Sequence, residues 1–108
     1  MYITWQQQFT LLLTKYYPPA EAVRASSVLL PAVLNDFRKM LSAAPAGKEL
    51  TETYNTEDGK TVLRLKGRKM KSGRKTAFVI TDLLVADDPV QFDSVPGYGR
   101  CLLLEDQK

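Results

Sequence analysis

Residues 60–81 read KTVLRLKGRKMKSGRKTAFVIT, and this stretch decides the expected fold. Leu63 and Leu65 alternate with basic residues, and Ser72-Gly73 separates this part from a second apolar run. Alternation with a period of two is typical of a half-buried strand, and a short glycine-containing segment between two such runs indicates a hairpin. The stretch therefore predicts two long antiparallel strands joined by a tight turn.

The register of this hairpin follows from the position of its turn. With Ser72-Gly73 at the tip, Leu65 pairs with Ile80 and Gly67 pairs with Phe78. Both pairings bury apolar groups on the same side of the sheet, which leaves the basic residues on the other side.

A second hairpin is predicted immediately upstream. If Asp58-Gly59 forms its two-residue turn, Tyr54 lies opposite Leu63 and Glu52 lies opposite Leu65. Glu52 fits badly beside a buried leucine. This misfit indicates that the first strand lies at an edge of the sheet.

The first 44 residues have a helical period instead. Pro18-Pro19 ends a first amphipathic helix, and Pro19 suits the first turn of a second one. Proline inside a helix costs about 3 kcal/mol, so Pro31 predicts a kink, or a break into helices near 20–30 and 32–43. The apolar face of the first helix consists of Trp5, Phe9, Leu12, Leu13 and Tyr16.

Helices followed by strands indicate an α+β domain. We predict two or three N-terminal helices packed on one face of a three- or four-stranded antiparallel sheet, with a last strand near 100–105 and residues 1–108 in a single domain. A small winged-helix variant is the second topology considered.

The composition excludes several classes of protein. No apolar run approaches the roughly 20 residues that span a bilayer, and the first residues lack the pattern of a secretory signal. The chain has no histidine, and its one cysteine, Cys101, lies in an apolar segment where packing is its expected role. These features predict a cytoplasmic protein that does not bind membranes, has no catalytic residues and needs no metal or cofactor.

Charge is strongly segregated along the chain. Residues 60–75 contain eight Lys and Arg and no acidic residue, whereas the whole chain carries a net charge of +3, so the other 92 residues sum to −5. A cationic two-stranded ribbon can enter a DNA major groove or lie along a phosphate backbone, where each neutralised phosphate releases counterions. The segment contains no aromatic residue, which favours backbone contacts over base stacking.

The sequence thus predicts a non-enzymatic protein that binds DNA or RNA through a basic β-hairpin. The hypothesis requires the cations of neighbouring strands to gather on one open surface without being neutralised. The residues expected to contact phosphate are Lys66, Arg68, Lys69, Lys71, Arg74 and Lys75.

Three other interpretations remain open. The run can be a solvated strand face that prevents edge-to-edge aggregation, or the site for an acidic protein surface. The chain can instead be a protein-interaction or assembly module, including a homodimer, that uses the aromatic N-terminal helix. Acidic residues close enough in sequence to neutralise the run are Glu49, Glu52, Glu57, Asp58, Asp82, Asp87, Asp88 and Asp93.

The last four of these aspartates also raise the question of a metal ion, because carboxylate oxygens bind Mg²⁺ and Ca²⁺. Their spacing fits no EF-hand loop. Asp87-Asp88-Pro89 is more simply a turn.

Overall fold

The computed structural model describes residues 2–56 and 58–105. Helix α1 spans Trp5–Leu13 and begins with a capping box. The Thr4 hydroxyl accepts the Gln7 N–H at 3.2 Å, and the Gln7 side chain accepts the Thr4 N–H at 2.9 Å. This reciprocal pair satisfies two amides that have no partner inside the helix.

Helix α2 spans Pro19–Ala43 without interruption, so of the two alternatives predicted at Pro31, a kink or a break, the break is wrong. Pro31 is exposed, while Leu30, Val33 and Phe37 beside it are buried. Water can reach the carbonyl that loses its partner at the proline, and burial of the opposite face outweighs the lost hydrogen bond. No strand lies between Leu13 and Pro19, so the full winged-helix order, which has a strand there, is absent.

The strands form an antiparallel sheet of five and a separate pair. The strands of the larger sheet are β1 (Glu49–Asn55), β2 (Val62–Ser72), β3 (Lys75–Val85), β4 (Asp88–Pro89) and β7 (Leu102–Glu105), and the pair consists of β5 (Ser94–Val95) and β6 (Gly99–Arg100). In the larger sheet the order is β1-β2-β3-β4, and β7 also pairs with β3. The sheet has more strands than predicted because two short ones, β4 and β7, both pair with the edge of β3 that faces away from β2.

The first hairpin has the predicted register. Tyr54 lies opposite Leu63 and Glu52 opposite Leu65, and β1 is an edge strand, which confirms the interpretation of Glu52.

The second hairpin has a different register. Ser72 pairs with Lys75, so Gly73-Arg74 forms the turn, and Gly73 has φ +64°. A glycine with positive φ suits the first central position of a two-residue hairpin turn, and the prediction placed it second. As a result, Gly67 pairs with Ile80 instead of Phe78.

A β-bulge between Lys66 and Gly67 adds a further shift. Leu65 therefore pairs with Leu83, not with Ile80. Gly67 sits where two backbones come close, since a Cβ there would lie 2.5 Å from the Val79 carbonyl oxygen and 3.1 Å from Phe37.

Both helices pack on one face of the sheet, which confirms the α+β architecture. The core contains Phe9 and Leu13 from α1 and Phe37 from α2. Within residues 2–56 and 58–105, neither helix is long and apolar enough to cross a bilayer. The sheet contributes Leu63, Leu65, Phe78, Ile80, Leu83 and Val85.

Candidate nucleic-acid interface

The basic hairpin β2–β3 has two parts with different surroundings. We call residues 62–68 and their partners 79–85 the hairpin base, and residues 69–76 the ribbon tip. In the base, β1 flanks β2, and both β4 and β7 flank β3. The ribbon tip extends beyond the last pair of β1, Glu49 with Arg68.

Carboxylates accompany two of the three cations of the hairpin base, Arg64 and Lys66. Arg64 Nη1 lies 3.8 Å from Asp87 Oδ1. Lys66 Nζ lies 3.8 Å from Glu49 Oε1 and 3.7 Å from Asp82 Oδ2. All five side chains remain partly exposed, so these ion pairs add little stability, but they reduce the positive potential of the base.

Arg68 is the last cation of the base and points away from the helices. It pairs in register with Val79, which is fully buried, and its charge lies near Cys101. Burial raises the pKa of the Cys101 thiol, and Arg68 lowers it in part. Cys101 is buried and unpaired, in line with its expected packing role.

Lys69 and Lys71 lie on the helix side of the ribbon tip. Successive side chains of a strand point to opposite faces, so Lys69 and Lys71 lie on the same face as Gly67. That face is the one packed against Phe37 of α2. The Lys69 Nζ donates a hydrogen bond of 2.9 Å to the Ser42 carbonyl near the end of α2. A cation in this position stabilises the negative end of the helix dipole.

Lys75 lies on the opposite side of the ribbon, since it pairs with Ser72 and shares the outer face with Met70. Arg74 occupies the turn. Lys71, Arg74 and Lys75 are exposed, and none of them forms a salt bridge with a carboxylate of the described residues.

The structure therefore does not gather the six predicted contact residues on one surface. Lys66 is ion-paired in the base, and Lys69 caps α2. Arg68 and Lys75 lie on the outer face, Lys71 lies on the helix face, and Arg74 lies between them at the turn.

Sequence reasoning missed one neighbouring cation, Lys48. The Gly47 N–H donates to the Lys69 carbonyl at 2.7 Å, which brings Lys48 next to the ribbon tip. If the pairing of Tyr54 with Leu63 is extended by six residues, Lys48 lies opposite Lys69. The predicted register of the first hairpin was therefore enough to place Lys48 beside the basic run.

The first cation of the basic run, Lys60, belongs to the β1–β2 turn instead. Its Nζ lies 5.1 Å from the centre of the Tyr17 ring, and its N–H donates to Asp58 Oδ1 at 3.0 Å. Asp58 Oδ1 also accepts the hydroxyls of Tyr17 and Thr56, each at 2.8 Å. The Lys60 N–H and then the Tyr17 hydroxyl hold the pKa of Asp58 below its ordinary value.

The aspartates considered for a metal site are engaged separately. Asp82 and Asp87 pair with Lys66 and Arg64, as described above. Asp88 Oδ2 lies 2.8 Å from Lys15 Nζ, and Asp93 accepts the Tyr2 hydroxyl. In the described part of the chain, no group of three or more His, Cys, Asp or Glu side chains is arranged to hold a metal ion. Glu57, another acidic residue considered, lies outside the described residues.

The aromatic residues of the N-terminal segment mostly belong to the core. Phe9 and Tyr17 are buried, and Trp5 packs edge-on against Phe92 with ring centres 5.9 Å apart. Four exposed apolar side chains line a groove of about 520 Å³ together with Gln6, Gln7 and Thr10. These side chains are Tyr2, Ile3, Leu11 and Val23.

Comparisons with protein-family models, curated proteins and solved structures found no significant match to this chain.

Proposed function

We propose that the protein binds nucleic acid through phosphate contacts made by the ribbon tip. The observation that supports this is the difference within the hairpin: Arg64 and Lys66 at the base have carboxylate partners, whereas the tip cations have none among the described residues. These tip cations are Lys71, Arg74 and Lys75. Exposed cations that protrude on a narrow ribbon can approach a phosphate backbone closely and release its counterions.

The proposal needs only binding, with no catalytic step. The residues that we expect to carry the affinity are the tip cations Lys71, Arg74 and Lys75, together with Arg68 at the adjoining end of the base. Lys66 and Lys69 contribute less, because their ammonium groups already contact protein oxygens.

Two double variants with the same net charge test the proposal. Lys71→Gln/Lys75→Gln removes two tip cations, and Arg64→Gln/Lys66→Gln removes two base cations. We expect the tip variant to lose about tenfold in affinity for a labelled oligonucleotide near 100 mM salt, and the base variant to lose less than about twofold. Fluorescence anisotropy measures both, and circular dichroism checks that each variant is folded.

Equal losses in the two variants would show that net charge alone attracts the ligand, and the ribbon tip would lose its role. A wild-type protein that shows no salt-dependent retention of any oligonucleotide would remove the proposed function altogether.

A second candidate function is protein–protein interaction. It is supported by the exposed apolar groove formed by Tyr2, Ile3, Leu11 and Val23, because exposed apolar clusters commonly mark interaction sites. If the chain assembles with itself there, light scattering will give a dimer that Leu11→Ser/Val23→Ser converts to a monomer. A wild-type monomer at all concentrations would count against self-assembly.

A further inference from the structure

The ribbon tip carries positive charge on both of its faces. Lys71 and Lys69 lie on the helix side, and Lys75 lies on the outer side. Arg68, at the adjoining end of the base, shares the outer side with Lys75. A ligand that lies flat against one face would meet only one of these two groups. The distribution suits a ligand that presents phosphates on two opposing walls.

The ribbon tip is also narrow enough to be surrounded. Among the residues that the structure describes, no strand pairs with β2 beyond Arg68 or with β3 before Ala77. Met70–Thr76 is therefore a bare two-stranded ribbon at one end of the sheet. A β-layer with its side chains is about 10 Å thick, judging from the spacing of stacked sheets.

This thickness distinguishes among the grooves of nucleic acids. The major groove of B-form DNA is about 12 Å wide and admits a two-stranded ribbon, whereas the minor groove is about 6 Å wide. The major groove of A-form RNA is deep and too narrow for side chains to read. B-form DNA is the duplex whose groove fits the tip.

Single strands fit less well for two reasons. A single strand has one phosphate backbone, which engages one face of the ribbon. Proteins that bind single strands also stack bases on aromatic side chains, and residues 60–76 contain no aromatic residue.

We infer that the ligand of the ribbon tip is double-stranded B-form DNA, with the tip inserted in the major groove and its two faces against opposite phosphate backbones. This inference rests on the proposed function. It names the class of nucleic acid and assigns Lys71 and Lys75 to different strands of the duplex.

The experiment compares three ligands of the same sequence: a DNA duplex, an RNA duplex and a DNA single strand. Anisotropy at the same salt is expected to show a preference of about tenfold for the DNA duplex over each of the others. Methyl green, which occupies the major groove, is expected to displace the protein, and the minor-groove ligand distamycin is expected to have no effect.

Single variants test the placement of the two faces. On the DNA duplex, Lys71→Gln and Lys75→Gln are each expected to reduce the slope of log affinity against log salt by about one, and the double variant by about two. On the single strand, only one of the two substitutions is expected to reduce it.

The outcomes separate the inference from the function on which it rests. Equal affinity for the single strand, preference for the RNA duplex, or displacement by distamycin would each overturn the inference while leaving nucleic-acid binding in place. Failure to bind any of the three ligands would overturn the proposed function as well.

Discussion

Strand β2 has a turn at each end. The two turns are similar in composition, but only one of them contacts the rest of the fold. Each contains a glycine with positive φ, Gly59 at +71° and Gly73 at +64°, and each has a lysine or arginine directly after it. In the first turn, Asp58 accepts hydrogen bonds from Lys60 and from Tyr17, which lies between α1 and α2. In the second turn, Arg74 has no such partner among the described residues and faces solvent.

Strand β2 therefore connects a turn that is tied to the helices with a turn that is not. The Asp58 turn joins the hairpin to the helices, so its polar groups are used within the fold. The Gly73 turn lies beyond the cover of β1 and β7, so its polar groups remain available to a partner. The packed hairpin base lies on one side of Gly67, and the exposed ribbon tip, the candidate interface, lies on the other.

The substitution that we expect to destabilise the protein most adds one methyl group at the boundary between the hairpin base and the ribbon tip. Gly67→Ala places a Cβ against the Val79 carbonyl and the Phe37 ring, and we expect the free energy of unfolding to fall by about 3 kcal/mol. Gly73→Ala meets no atom and imposes only backbone strain, which costs about 1 kcal/mol. Urea denaturation of both variants measures the difference. Equal stability of the two would show that the base is not tightly packed at Gly67.

An intermediate effect is expected when a carboxylate is added to the ribbon tip. Ser72 lies opposite Lys75 on the outer face, so Ser72→Asp neutralises that cation as Asp82 neutralises Lys66. We expect a loss of about tenfold in oligonucleotide affinity, from the lost phosphate contact and the added repulsion.

The matched control for this variant is Thr51→Asp, which places the same charge opposite Lys66 in the hairpin base. Its affinity is expected to stay within about twofold of the wild type, because the base is already neutralised. If Thr51→Asp weakens binding as much as Ser72→Asp does, the contrast between base and tip is wrong.

A smaller change in stability is expected from the turn that contains Asp58, and this change depends on pH. The pKa of Asp58 is lowered in the folded state by the Lys60 N–H and then by the Tyr17 hydroxyl. Its contribution to stability is therefore complete above the ordinary value of 3.8 and is lost as the pH falls through the lowered value.

Asp58→Asn consequently destabilises the protein near neutral pH, and the difference from the wild type shrinks in acid. Urea midpoints measured from about pH 7 down to about pH 2 follow this change. Ser72→Ala, in the other turn, is expected to show no such convergence. A constant difference between Asp58→Asn and the wild type at every pH would contradict the assignment of these hydrogen bonds.

Much of the fold could be predicted because its signals are local. Alternation of Leu63 and Leu65 with basic residues identifies a strand, and Asp58-Gly59 correctly sets the first register. The predicted register of the second hairpin is wrong for two local reasons. The turn is displaced by one residue, and a bulge lies between Lys66 and Gly67. Bulges depend on how closely two backbones approach, which a pattern of apolar residues does not specify.

The location of the candidate site was predictable for the same reason, and its composition was not. A run of cations around a turn ends up at the tip of a hairpin wherever the hairpin forms. The partners of Arg64, Lys66 and Lys69 come from other elements: Asp87 follows β3, Glu49 and Asp82 lie on flanking strands, and Ser42 is near the end of α2.

The sequence pattern alone was thus enough to predict the helices and strands, the exposed turn and the cluster of cations near that turn. Each of these features depends only on neighbouring residues and on the geometry of one strand. Which cations are neutralised, and which face of the ribbon each one occupies, emerged only when distant residues were packed together. Electrostatic pairing falls off over a few ångströms, and distances that short between separate elements are set by the packing of the whole core.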